Sequence, residues 1–197
     1  MIKKEPIEWL DAWAEEADKD DLPRVLLIGD SITRGYNGRV RELLKGKAYV
    51  DFIATSYAVD NPLYQTLIKG YAKACDYAVI HFNHGLHGYH MSKRTYQSKI
   101  DKLAKVLSAN SKFIIATSTI VYKEGNKRVN KDWAKRLAQR NGAVSEIASK
   151  NGYVLNDLFK VSEGLDVSLR SPDGIHYNEQ GFNALGDVVA QNIIEIL

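Results

Sequence analysis

The chain has 197 residues, 45% of them apolar, which is enough to bury one sizeable core and excludes a disordered, tail-like protein. Its 27 basic and 24 acidic residues leave a net charge of +3, too weak a field to indicate nucleic acid or an anionic membrane surface as partner. The single cysteine, Cys75, excludes an internal disulfide and any multi-cysteine zinc site.

At the start of the chain, basic residues give way to acidic ones and not to the apolar stretch that a signal peptide needs, so a cytoplasmic location is expected. The longest apolar runs, Val25-Leu-Leu-Ile28 and Phe113-Ile-Ile-Ala116, fall far short of the roughly 20 residues that span a bilayer. Ile7, Leu10, Trp13 and Ala14 recur at helical spacing, which predicts a helix over 7–18. That helix would form an N-terminal extension, 1–22, packed on a single domain, 1–197.

Further along, β-rich runs at 24–28, 49–54, 77–82, 112–117 and 153–155 alternate with helical patterns at 40–45, 61–74, 92–109, 131–150 and 178–197. Most of the runs are apolar on consecutive positions, as in strands covered on both faces. The pattern predicts a three-layer α/β/α domain: a doubly wound, five-stranded parallel sheet of flavodoxin-like type with right-handed crossovers. Ligands in such sheets bind beyond the carboxyl ends of the strands, so the loops that follow each strand are the places to look for chemistry.

After the first strand comes Gly29-Asp30-Ser31-Ile32-Thr33. A serine at a helix N-terminus sits among free backbone N–H groups, and its own N–H can hold an oxyanion if its hydroxyl attacks an ester. The same residues also suit an ordinary N-cap. Before the last helix stands Ser171-Pro-Asp-Gly-Ile-His176, in which Asp173 can accept from the imidazole Nδ1–H of His176 and leave Nε2 free to take a proton from a serine. A capped turn is the plainer alternative. At the end of the third strand, the Asn83 amide can donate to an oxyanion, or simply form an Asx-turn.

These blocks together resemble the GDSL/SGNH hydrolases, with Gly29-Asp-Ser-Ile32 as first block, Asn83 as third-block asparagine and Asp173-Gly-Ile-His176 as last block. The resemblance implies the SGNH-hydrolase fold and a carboxylic ester hydrolase without metal or cofactor. Ser31 would be the nucleophile, His176 the general base and Asp173 its orienting acid. The Ser31 N–H and the Asn83 amide would form part of the oxyanion hole. Two positions depart from the pattern: Ile32 replaces leucine, and Thr55-Ser-Tyr-Ala-Val-Asp-Asn-Pro62 has no counterpart of the second-block glycine, so another backbone N–H must serve. The segment Ile80-His-Phe-Asn-His-Gly-Leu-His-Gly88 is similar to a bacterial subgroup acting on carbohydrate esters.

Other readings compete. His81, His84, His87 and His90 recur every three residues and could hold a transition metal, although Gly85 and Gly88 interrupt the face they would need. Asp30-Ser-Ile-Thr33 could cradle a flavin or nucleotide phosphate in a binding module without hydrolase activity, which leaves Asn83, Asp173 and His176 unexplained. A Gly-x-Ser-x-Gly elbow is absent, because Thr33 stands at the second glycine position. Within the family, a lysophospholipase or thioesterase is the alternative. Tyr57, Tyr64, Tyr89, Tyr122 and Tyr177 fall in the strand-end loops without a long apolar lid, which favours a small-molecule or carbohydrate ester, an acetylated sugar above all, over a lipid tail.

Overall fold

The computed structural model describes residues 3–197, so the first two residues of the N-terminal extension lie outside it. In chain order the elements are β1 (Leu10–Trp13), β2 (Arg24–Gly29), α1 (Ser31–Leu44), β3 (Tyr49–Thr55), α2 (Pro62–Tyr71), β4 (Tyr77–Asn83) and α3 (Lys93–Leu107). They continue with β5 (Lys112–Ala116), α4 (Lys131–Asn151), β6 (Val154–Asn156), α5 (Leu158–Gly164) and α6 (Glu179–Ile196). Strand order is β1-β3-β2-β4-β5-β6, parallel throughout except for β1.

Consecutive apolar residues in β2 feed opposite faces of the sheet. Val25 and Leu27 join a core roofed by α1 and α6, and Leu26 and Ile28 join one roofed by α2, α3 and part of α4. This is the buried parallel sheet that an unalternating apolar run predicts. α1 and α6 lie close together because two glycines permit it: a Cβ on Gly35 would strike the Phe182 ring, and one on Gly186 would press on Arg39. Among the described residues no helix is long and apolar enough to cross a membrane.

The helix expected over 7–18 is not formed, and the sheet has six strands instead of five. β1 pairs antiparallel with β3, Leu10 opposite Thr55 and Trp13 opposite Phe52. The apolar stripe that suggested a helix is left in solvent, with Ile7, Leu10 and Trp13 exposed by 75%, 45% and 52%. Without β1, β3 would be a bare sheet edge, and satisfying its backbone groups outweighs the local helical pattern. Around Trp9 the pairing is extended by bonds from its N–H to Ser56 Oγ (2.9 Å) and from Ser56 N–H to its carbonyl (3.2 Å). The guanidinium groups of Arg34 and Arg41 cover the Trp9 and Trp13 rings at 5.3 Å. Helix α5 and a 3-10 turn at Val167–Leu169, both within the stretch read as loop, are further elements the pattern did not reveal.

Arg24 anchors the turn after β1. Its guanidinium donates to the carbonyls of Glu15 (2.9 Å), Glu16 (2.5 Å) and Lys19 (3.0 Å) and to the buried Asp51 carboxylate (3.0 Å). Asp51 also accepts from Glu15 N–H and from the Tyr77 hydroxyl, both at 2.9 Å. Removing the cation strands a buried carboxylate, so Arg24→Ala is expected to lower the unfolding free energy by about 3–5 kcal/mol, measured by urea denaturation; a change below about 1 kcal/mol would refute the anchor.

Candidate active site

The carboxyl ends of β2 and β4 lie side by side, with Gly29 opposite Asn83. A side chain on Gly29 could not be accommodated: its Cβ would fall 2.4 Å from the Asn83 carbonyl oxygen. Directly beyond, Asp30 caps α1 by accepting from Ile32 N–H at 3.0 Å. Ser31 therefore occupies the first turn, where N–H groups have no intrahelical acceptor.

Some 145 residues later the chain returns to the same edge. His176 Nε2 lies 2.8 Å from Ser31 Oγ, and His176 Nδ1 lies 2.6 Å from Asp173 Oδ2. The other Asp173 oxygen accepts from the N–H groups of Ile175 (2.8 Å) and His176 (2.9 Å). Partial burial opposes the Asp173 charge, but the hydrogen bond from His176 and those from the two backbone N–H groups outweigh it and hold the carboxyl below its ordinary range. Asp173, His176 and Ser31 thus line up as acid, imidazole and hydroxyl.

The turn carrying Asp173 and His176 is braced by the loop after β5. Gly125 N–H donates to Pro172 C=O and Tyr122 N–H to Gly174 C=O, both at 2.7 Å. Gly174 has φ +77° and packs so closely on the Tyr122 carbonyl that a Cβ would clash at 2.4 Å. Buried Arg170 donates to the carbonyls of Ser162 and Ile120 and to the Tyr177 hydroxyl, sandwiched by the Tyr122 and Tyr177 rings.

Asn83 is buried, and its amide Nδ2, which lies towards the Tyr36 hydroxyl, makes no hydrogen bond of good geometry among the described residues. A buried idle donor carries a cost of about 1–3 kcal/mol that a ligand acceptor would remove. The loop after it is held from two sides. Asp30 Oδ2 accepts from Gly85 and Leu86 N–H at 3.4 and 3.3 Å. Arg140 donates to the carbonyls of Gly85 (2.6 Å), His87 (2.7 Å) and Gly88 (2.5 Å). Neither role of these two residues was read from the sequence. A signal was present in α4, where Arg140 falls on the apolar stripe with Leu137, Val144 and Ile147, all buried. In the second-block loop, the N–H groups of Ser56, Tyr57 and Asn61 are engaged by Trp9 C=O, Thr55 Oγ1 and Ala58 C=O, which removes Asn61 as a replacement for the glycine N–H and leaves those of Ala58, Val59 and Asp60.

The histidine series diverges. His81 Nδ1 faces the Tyr36 hydroxyl (3.4 Å), His84 Nε2 the Tyr57 carbonyl (3.0 Å), His87 the Glu5 carboxylate (3.8 Å) and His90 Asp60 (2.9 Å). Among the described residues no three His, Cys, Asp or Glu side chains gather as a metal site. Of the loop tyrosines, Tyr64 and Tyr177 are buried in the core and cannot offer a ring to a ligand, Tyr57 and Tyr122 are half-buried, and Tyr89 is exposed. Tyr89 instead meets Trp133 edge-on at 5.3 Å, a neighbour that the sequence did not single out.

No protein-family model and no curated protein matches the chain. Solved structures do. A Slackia heliotrinireducens protein assigned to the SGNH hydrolases superposes with TM-score 0.69 at 19% identity, over 88% of this chain and 100% of that one. A GDSL-like lipase from Bacteroides thetaiotaomicron gives TM-score 0.69 at 15% identity, over 88% and 89%. The fold is that of the SGNH hydrolases. A variant of an acetyl-xylooligosaccharide esterase from Geobacillus shares this SGNH fold too, with TM-score 0.68 at 17% identity over 87% and 94%.

Burial drives the His81 imidazole down to about 3 and that of His84 to about 4, the latter against a partial pull from Asp30. Both are neutral when folded but protonate near 6.5 when unfolded. Their contribution to stability is therefore complete above pH 6.5 and is lost as pH falls towards 4. Each histidine should contribute a slope of about 1.4 kcal/mol per pH unit in that window. Urea midpoints of wild type and His81→Asn between pH 7 and 4.5 check this; equal slopes in the two proteins would contradict it.

Proposed function

We propose that the chain is a serine ester hydrolase that removes a short acyl group, with an O-acetyl group on a carbohydrate as the favoured substrate. The observation that carries the reading is the unbroken relay from Asp173 through His176 to Ser31, at 2.6 and 2.8 Å.

In the proposed reaction Ser31 Oγ attacks the ester carbonyl carbon as His176 Nε2 takes the hydroxyl proton, and Asp173 stabilises the imidazolium. The negative charge moves to the carbonyl oxygen, for which the Ser31 N–H and the idle Asn83 amide are the proposed donors. Collapse of the tetrahedral species expels the alcohol with the proton from His176. Water, deprotonated by His176, then attacks acyl-Ser31; the acyl–oxygen bond breaks, the carboxylic acid leaves and His176 returns the proton to Ser31 Oγ. A phosphate-binding role for the same loop is disfavoured, because the Ser31 hydroxyl is already engaged by His176 and no other group of that relay would have a use.

A short acyl group is supported by the strand-end loops 55–61, 83–92 and 117–130, none of which carries a long apolar run. The sugar side is supported by exposed Tyr89 with Trp133 beside it. Kinetics on nitrophenyl esters of two to twelve carbons, with acetate release from acetylated oligosaccharides, test both parts. Activity is expected to peak at the shortest acyl chains and to vanish in Ser31→Ala. Asn83→Ala is expected to lose roughly 10²–10³ in kcat with little change in KM. Efficiency that climbs towards twelve carbons with no acetate released would assign a lipid ester, and a fully active Ser31→Ala would overturn the mechanism.

A further inference from the structure

The modest net charge of the chain conceals one strongly basic segment. Residues 122–136 hold six basic side chains, Lys123, Lys127, Arg128, Lys131, Lys135 and Arg136, against Glu124 and Asp132, while the other 182 residues carry 21 basic and 22 acidic. The whole positive excess thus lies in this stretch. Lys123, Lys127, Arg128, Lys131 and Lys135 are exposed, and among the described residues none of the six forms an ion pair. Elsewhere on the surface, Arg39 pairs with Asp187, Lys93 with Glu146 and Lys105 with Asp101.

The position of the segment matters as much as its charge. At one end, Tyr122, Gly125 and Asn126 hydrogen-bond to Gly174, Pro172 and Ser171 of the turn that bears Asp173 and His176. At the other end, Arg136 donates to the Met91 carbonyl at 2.6 Å and lies over the Tyr89 ring at 4.3 Å, next to Trp133. A shallow pocket of about 360 Å³ opens there between Tyr89, Asp132, Lys135, Arg136 and Gln139. The segment therefore arches from the His176 turn to the loop held by Asp30 and Arg140, along the border of the candidate site. Two acidic residues stand on neighbouring segments, Glu5 accepting from Gly88 N–H and Asp60 facing His90 Nε2.

We infer that this rim selects an anionic carbohydrate ester, one whose alcohol part bears carboxylate, sulfate or phosphate groups. Unpaired cations beside an aromatic ring pair attract such a sugar before contact and hold it after. This deepens the esterase reading and rests on it, so the test separates the two. Nitrophenyl acetate, acetylated xylo-oligosaccharides and acetylated oligouronates or sulfated oligosaccharides are compared at about 20 and 300 mM salt, a range over which screening of exposed charges becomes strong.

Wild type is expected to favour the anionic oligosaccharides by about tenfold or more in kcat/KM at low salt, through KM, and to lose that preference at high salt. The double variant Lys127→Glu, Arg128→Glu should abolish the preference with nitrophenyl acetate turnover unchanged. Equal efficiency on neutral and anionic sugars, or a preference insensitive to salt and to the charge reversal, would overturn the inference while leaving the esterase intact. Absence of Ser31-dependent turnover on every ester would overturn the esterase reading. In that event titration calorimetry of Ser31→Ala with the deacetylated anionic oligosaccharide still decides the rim: salt-sensitive binding supports it, and no binding overturns it.

Discussion

Asp30 and Arg140 are buried charges of opposite sign that hold the same loop by opposite ends of its peptide dipoles. Asp30 collects N–H groups from Gly85 and Leu86 as well as from Ile32, and Arg140 supplies N–H groups to the carbonyls of Gly85, His87 and Gly88. Each charge replaces lost water with polarised backbone, and these five backbone groups of the loop find partners that they would otherwise lack. The result is a rigid connection between the start of α1 and the end of β4. Ser31 and Asn83 thereby keep a constant relation to one another, which is what the oxyanion site proposed for them demands.

His176 is held on a comparable principle. Arg170, another buried guanidinium with no carboxylate partner among the described residues, gathers carbonyls from Ile120 and Ser162 and the Tyr177 hydroxyl. The turn in front of it folds back on Gly174, in a positive-φ conformation and pressed against the Tyr122 carbonyl. The hydroxyl comes from a segment 145 residues away from the turn that carries both the imidazole and the carboxylate, and their alignment depends on cations embedded in backbone. Charge in this molecule does structural work inside and, along residues 122–136, remains free outside.

The parallel core was legible because strands such as β2 and β3 are apolar on both faces and have no other stable environment. Candidate site residues were legible as to type and loop, since a short strand-to-helix turn leaves Ser31 few places to go. What was not legible depends on distant partners. Leu10 and Trp13 have helical spacing, yet the open edge of β3 claims their backbone for β1. Tyr64 and Tyr177 read as surface rings until α2 and α6 are seen to press them into the core. Arg140 reads as one more cation on a charged helix, and only its register with Leu137 and Val144 shows that it points inward. The second-block loop has no glycine, and the tight contact it does make comes from its neighbour, since a Cβ on Gly88 would press on Ala58.

The central claim is that the relay makes Ser31 a nucleophile, and covalent capture tests it without knowledge of the natural substrate. Intact-mass measurement after exposure to a serine-reactive fluorophosphonate, followed by peptide mapping, should show a single adduct on Ser31 that forms far more slowly in His176→Ala. An unlabelled protein, or labelling that is indifferent to His176, would contradict the account.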